Sequence, residues 1–229
     1  MGFAKDLNNN PILIAAVQHN GVWKKVGSGS WTKLAIASPE SGIEIMKLPD
    51  PSDPNKSLST THVDVIFSST NKAFYLYDRT SGLWRGDNYG TNWTRIYKSP
   101  GDVEGQGFVR VHPTDPKIIF VSDRNGVWRI TNADTAAKDA ATAVKISGTL
   151  ANPGAMTLGP NNQLIFVTQP SGSNRPRIYT GDYTQPTPNW TDLSDDYYRA
   201  YAIKVITISA STDGTIFVST NNNSSIVRD

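Results

Sequence analysis

The chain contains no cysteine. Disulfide staples, thiolate nucleophiles and Cys-ligated zinc are therefore excluded. Charge is scarce too: Asp, Glu, Lys and Arg make up 18% of the 229 residues, and 22 basic against 20 acidic side chains leave a formal net charge of +2. That near-balance gives no basic footprint, and nucleic acid is not expected as a partner. No apolar run approaches the ~20 residues of a membrane-spanning helix, so no membrane partner is expected either. Met1-Gly2-Phe3 is not followed by a basic stretch and a long apolar one, the pattern of a signal peptide. His19, His62 and His112 are scattered without ligand spacing, so no metal site is expected. No G-x-S-x-G stands around a serine, and no cofactor motif is present. Helix is the last thing missing. The Ala-rich stretch Asp134–Ala143 has no apolar stripe and reads as a loop or a single turn.

What remains is a sequence of period-two apolar runs punctuated by Asn, Gly and Asp, the pattern of successive antiparallel hairpins. A motif Gly-[Val/Leu]-Trp-[Arg/Lys] occurs at Gly21–Lys24, Gly82–Arg85 and Gly126–Arg129, with weaker copies at Arg177–Thr180 and Ser225–Arg228. Each follows a strand-like run: ILIAAV, FYLYD, KIIFVSD, LIFVTQ and TIFVST. A second motif, Trp-Thr-x-[Leu/Ile] or a near variant, trails it at Trp31–Leu34, Trp93–Ile96 and Trp190–Leu193. The copies are roughly 45–60 residues apart, the spacing of four-stranded propeller blades.

The reading is all-β: a β-propeller arc of four-stranded antiparallel blades, three full and two partial, forming part of a larger seven-bladed propeller. The blade units fall at about 11–34, 43–98, 107–147, 155–194 and 204–229, and the Pro/Ser/Asp-rich segment 35–61 is a surface insertion. Gly42–Leu48 and Val63–Ser69 compete for the first strand of the second unit. An arc with uncovered sheet faces implies completion by remaining blades or by a second chain.

Within the second unit, G-D-N-Y-G-T-N-W fits an Asp-box pattern, S/T-x-D/N-x-G-x-T-W, with Asn88 at the Asp position, then Gly90 and Trp93. The physics is local: a short side chain caps turn N–H groups, Gly90 supplies a positive φ, and Trp93 folds back as an apolar plug. The repeated tryptophans Trp23, Trp84 and Trp128 read as blade core, and Trp31, Trp93 and Trp190 as structural by the same reasoning. Polysaccharide contacts fall instead to non-repeating aromatics, among them Tyr89, Tyr183, Tyr197, Tyr198 and Tyr201. Asp195-Asp196 followed by Tyr197-Tyr198 is the best local cluster, joining acids that bind hydroxyls to rings that stack on a pyranose. With Tyr183 it forms the candidate substrate-binding set. Asp115 sits in a DP turn and reads as a turn former.

NKAFYLYDRTSG and its box, VRVHPTDPKIIFVSDRNGVWRIT, RIYTGDYTQPTPNWTDLSDD and the closing DGTIFVSTNNNSSIVRD follow one another in an order that resembles the C-terminal propeller of family 74 glycoside hydrolases, the xyloglucanases and related endo-β-1,4-glucanases. The resemblance spans roughly residues 71–229. It implies a secreted, extracellular protein whose partner is a β-glucan or other polysaccharide lying in a cleft, hydrolysed with inversion by two aspartates. No position here matches either aspartate motif, so the catalytic residues are not assigned. The expectation is a wall of the cleft that is not catalytic alone. The alternative from another class is a non-catalytic Asp-box propeller used for protein interaction or assembly.

Overall fold

In a computed structural model, residues 1–17, 20–37, 48–50, 53–58, 63–78, 81–99, 107–123, 125–150, 152–168, 176–194, 205–220 and 225–228 are described. They form antiparallel sheets in which each strand pairs with its neighbour in sequence. The first sheet holds β1 (Gly2–Lys5), β2 (Pro11–Val17), β3 (Gly21–Val26) and β4 (Thr32–Leu34). A separate hairpin, β5 (Leu48–Asp50) and β6 (Asp53–Leu58), follows inside the expected insertion. The second sheet holds β7 (Val63–Ser68), β8 (Ala73–Asp78), β9 (Gly82–Gly86) and β10 (Asn92–Tyr97). The third holds β11 (Phe108–Val111), β12 (Ile119–Asp123), β13 (Gly126–Thr131) and β14 (Thr142–Lys145). The fourth holds β15 (Pro153–Leu158), β16 (Gln163–Thr168), β17 (Arg177–Asp182) and β18 (Thr191–Asp192). The last holds β19 (Val205–Ala210), β20 (Ile216–Thr220) and β21 (Ser225–Arg228).

This is the all-β fold of propeller blades, four of them with four strands. The first sheet gains one strand over the sequence reading, because GFAK pairs with β2 from Gly2 opposite Ile14 to Lys5 opposite Pro11. Val63–Ser68, rather than Gly42–Leu48, opens the second sheet. Residues 134–141 carry turns and no helix.

The chain divides into two compact units, Met1–Phe120 with Ile130–Ala143, and Val121–Arg129 with Val144–Asp229, so the third sheet gives residues to both. In the first unit the core lies between sheets. Ile12, Ile14 and Val22 of the first sheet pack against Phe74, Leu76 and Trp84 of the second, with Ala16, Leu34, Phe67 and Trp93 around them. Every residue of β8 is buried, as a middle strand covered on both faces must be. Full burial of a Leu or Phe contributes about 1.5–3 kcal/mol each.

Partly buried ion pairs and hydrogen bonds fix the same unit. Arg95 is fully buried and forks onto Asp139 at 2.6 and 2.7 Å. Asp64 accepts from Arg110 Nη1 at 2.6 Å and from the Val109 amide at 3.1 Å. In the second unit the Ser122 hydroxyl donates to Gly154 O at 2.7 Å, and Trp190 Nε1 donates to Ile146 O at 3.0 Å.

Candidate functional site

The box turn Asp87–Gly90 is a single left-handed turn: φ is 47° at Asn88, 56° at Tyr89 and 73° at Gly90. Asn tolerates this region and Gly is at home in it, but Tyr89 is strained there. The Tyr89 ring offsets that strain by stacking on Phe67, centroids 5.8 Å apart and planes 15° apart. Trp93 does fold back, its Nε1 donating to Gly90 O at 3.1 Å. It lies so close over β9 that a Cβ on Gly86 would stand 2.7 Å from the indole; Gly181 meets Trp190 at the same 2.7 Å in the fourth sheet. The expected amide cap is a correction. Asn88 is exposed, its side chain makes none of the hydrogen bonds seen in this turn, and it contributes its carbonyl, which accepts from the Thr91 hydroxyl at 2.8 Å.

The two tyrosines of the expected polysaccharide surface that are described are both interior. Tyr89 is held as above. Tyr183 is 4% exposed, and its hydroxyl donates to Asn162 Oδ1 at 3.3 Å, so little ring face stands open to a sugar. Burial, and then the charge of Asp182, raise the Tyr183 pKa. Asp195, Asp196, Tyr197, Tyr198 and Tyr201 lie outside the described residues, as do His19 and His62.

The chain is tightly fixed up to the point where that cluster begins. Asp192 Oδ1 accepts from the Ser194 amide at 2.8 Å, its Oδ2 accepts from Arg177 Nη1 at 2.9 Å, and the Ser194 hydroxyl accepts from the Ile178 amide at 2.8 Å. Burial pushes the Asp192 carboxyl up, but hydrogen bonds from Ser194 and then Arg177 outweigh it, and the net shift is downward. Asp182 is lowered by the Thr184 hydroxyl and amide, and Asp6 by the Asn10 side chain. Asp213 is lowered to about 2 by the Ser211 hydroxyl and then by Thr215. These four carboxylates are anions at neutral pH.

His112, the one described histidine, is a turn staple: Nδ1 accepts from the Thr114 and Asp115 amides at 3.3 and 2.9 Å, and burial lowers its pKa. Asp115 forms its turn as expected, accepting from the Lys117 amide at 2.9 Å. Among the described residues, no three His, Asp or Glu side chains converge as a metal site would need.

The sequence reading left the fourth residue of the Gly-Val-Trp-Arg motif without a role, and the structure supplies one. Lys24 Nζ reaches the Thr91 hydroxyl, in the turn between β9 and β10, at 3.5 Å. Arg85 Nη1 donates to Ala133 O and Ala136 O, between β13 and β14, at 2.9 and 3.1 Å. Arg129 Nη1 donates to Tyr183 O at 2.9 Å, with Gln185 O and Thr184 O at 3.2 and 3.4 Å, between β17 and β18. In all three cases a cation on the third strand of one sheet grips the turn after the third strand of the next. The recurrence of Arg or Lys at the same motif position was the signal for it.

No known family model matches the chain. No curated protein matches it either. Solved structures do match. A family 74 glycoside hydrolase xyloglucanase from Xanthomonas campestris superposes with a TM-score of 0.61 at 13% identity, over 99% of this chain and 36% of its own. Hydrazine synthase of Kuenenia stuttgartiensis gives 0.57 at 11% identity, over 97% of this chain and 56% of its own. YCF48 bound to a D1 peptide gives 0.53 at 9% identity, over 96% and 60%. The chain thus spans between about a third and three fifths of the length of these structures. At such identities the likeness is one of fold.

Proposed function

We propose that the chain supplies blades of a secreted, family-74-like glycoside hydrolase, lining a cleft for a β-glucan such as xyloglucan and not catalytic alone. Remaining blades or a second chain complete the propeller in this reading. The observation that carries it is the fold likeness to a xyloglucanase along 99% of the chain, joined to the ordered motif resemblance over residues 71–229. Asp195, Asp196, Tyr197 and Tyr198 are the proposed sugar contacts, following directly on the fixed edge that ends at Ser194. No described helix is long and apolar enough to cross a membrane.

A second reading, a propeller that binds protein, is favoured by the match to YCF48 bound to a D1 peptide and by the enclosure of Tyr89 and Tyr183.

Affinity electrophoresis through xyloglucan, mixed-linkage glucan and carboxymethylcellulose separates the two. Retardation that Tyr197→Ala and Tyr198→Ala abolish, without release of reducing sugar, is the expected result. Mobility unchanged by all three glycans would sink the glycan reading. Sugar release lost in Asp195→Asn or Asp196→Asn would show that the catalytic acids lie in this chain.

A further inference from the structure

The first and second sheets have the same internal register, yet one face of the first sheet is more open, position by position, than its counterpart in the second. In the second sheet Phe67 lies opposite Phe74, and Leu76 opposite Trp84. These four, with Trp93, face the first sheet and belong to the core against Ile12, Ile14, Ala16, Val22 and Leu34. In the first sheet Phe3 lies opposite Leu13, and Ala15 opposite Trp23, with Trp31 in the place of Trp93. Here Phe3 is 56% exposed and Trp31 40%, where Phe67 and Trp93 are half-buried, and Leu13, Ala15 and Trp23 are half-buried, where Phe74, Leu76 and Trp84 are enclosed. An exposed apolar sheet face of this kind marks a contact surface.

The cation clamp gives a second, independent line. The turns after β9, β13 and β17 each receive a Lys or Arg from the preceding sheet. The corresponding turn of the first sheet is Gly27–Ser30, between β3 and β4.

We infer that the face carrying Phe3, Leu13, Ala15, Trp23 and Trp31 docks a further blade of this same repeat. The occupant presents small aliphatic side chains at alternate positions of its middle strands, as Ile12, Ile14, Ala16 and Val22 do at the junction that is seen. It also carries a Lys or Arg on its third strand, which donates into the Gly27–Ser30 turn. This deepens the reading of the chain as part of a larger propeller, and it is independent of whether the completed propeller binds glycan.

The test places a second copy of residues 1–36 ahead of Met1 in the full chain, through a Gly/Ser linker of about 15 residues, long enough to leave the junction unconstrained. The added copy brings its own Ile12, Ile14, Ala16, Val22 and Lys24 to the original face. The fusion is expected to melt about 5 °C or more above the parent, and iodide quenching of Trp31, assigned with Trp31→Phe, falls. Ile14→Asp with Lys24→Glu in the added copy alone removes both gains, as does Phe3→Asp in the original copy. A fusion with the parent's melting temperature and quenching overturns the inference, even if the added strands stay unfolded, since ordering them is the role assigned to the face. Two results on the parent also overturn it: a dimer by sedimentation that shields Trp31 makes the occupant a second copy of this face, and shielding by cellohexaose makes the face a sugar platform.

Discussion

The first sheet and the second carry one pattern and live in two environments. Both run through four antiparallel strands, both have Gly-[Val/Leu]-Trp-[Arg/Lys] on the third, and both close with a Trp-Thr or Asn-Trp-Thr strand. Yet β8 is buried at every position, while β2 is buried only at Ile12 and Ile14, half-buried at Leu13, Ala15 and Ala16, and exposed at its ends. Strand propensity and turn chemistry depend on the sequence of each sheet alone, whereas burial depends on what stands beside it. The repeat therefore specifies the sheet, and the neighbour determines how much each side chain contributes to stability.

That contrast sets up matched substitutions, measured by denaturant unfolding of the chain. Phe74→Ala is expected to cost about 3–5 kcal/mol, because it empties a space enclosed between two sheets. Leu13→Ala, at the equivalent but only half-buried place, is expected to cost about 1 kcal/mol. Equal losses would mean that the first sheet's open face is covered in solution. Next in size is Asp139→Ala. It takes the carboxylate from a fully buried Arg95 and is expected to cost about 3 kcal/mol, less than a wholly buried pair because Asp139 itself is partly exposed. The clamps form another matched pair. Arg85→Ala is expected to cost about 1.5–3 kcal/mol, since two buried carbonyls lose a charged donor, while Lys24→Ala, whose contact is exposed and long, costs within about 0.5 kcal/mol.

The remaining effect is in pH. Asp192 has its folded pKa lowered below 3.8, so its contribution is present above that value and is lost as pH falls through the lower folded pKa. Asp192→Asn should therefore reduce stability by up to about 1 kcal/mol at pH 7 and by less at pH 2. A difference that grows on acidification would reverse the assigned direction.

Much of the architecture was legible from the sequence because a strand covered on both faces and a turn rich in Asn and Gly leave local marks. FYLYD and KIIFVSD announce middle strands, and Gly90 announces the positive φ that it adopts. Short or polar strands leave no such mark. GFAK has four residues and no turn before it, and the β5–β6 hairpin lies in LPD and DPNKSL, which read as surface loop. The sites are less legible still. Whether Tyr89 and Tyr183 offer a ring face depends on Phe67 and Asn162, which lie 22 and 21 positions away in sequence. The misassigned amide of Asn88 has the same cause: a box pattern names the residue but not whether its side chain or its carbonyl closes the turn. The acids and rings of 195–198 lie outside the described residues, so that part of the candidate site rests on sequence alone.

The arginine clamps have one more consequence. Arg85 and Arg129 hold their neighbours by main-chain carbonyl oxygens, and every residue type has one of those. The exposed side chains of the gripped turns, Thr135, Thr184 and Gln185, are thus largely free of responsibility for the junction, whereas Ala133, Ala136 and Tyr183 are buried beneath them. Substitutions at those exposed positions can accumulate without loosening the sheets, so there this scaffold can vary its outward chemistry while keeping its frame.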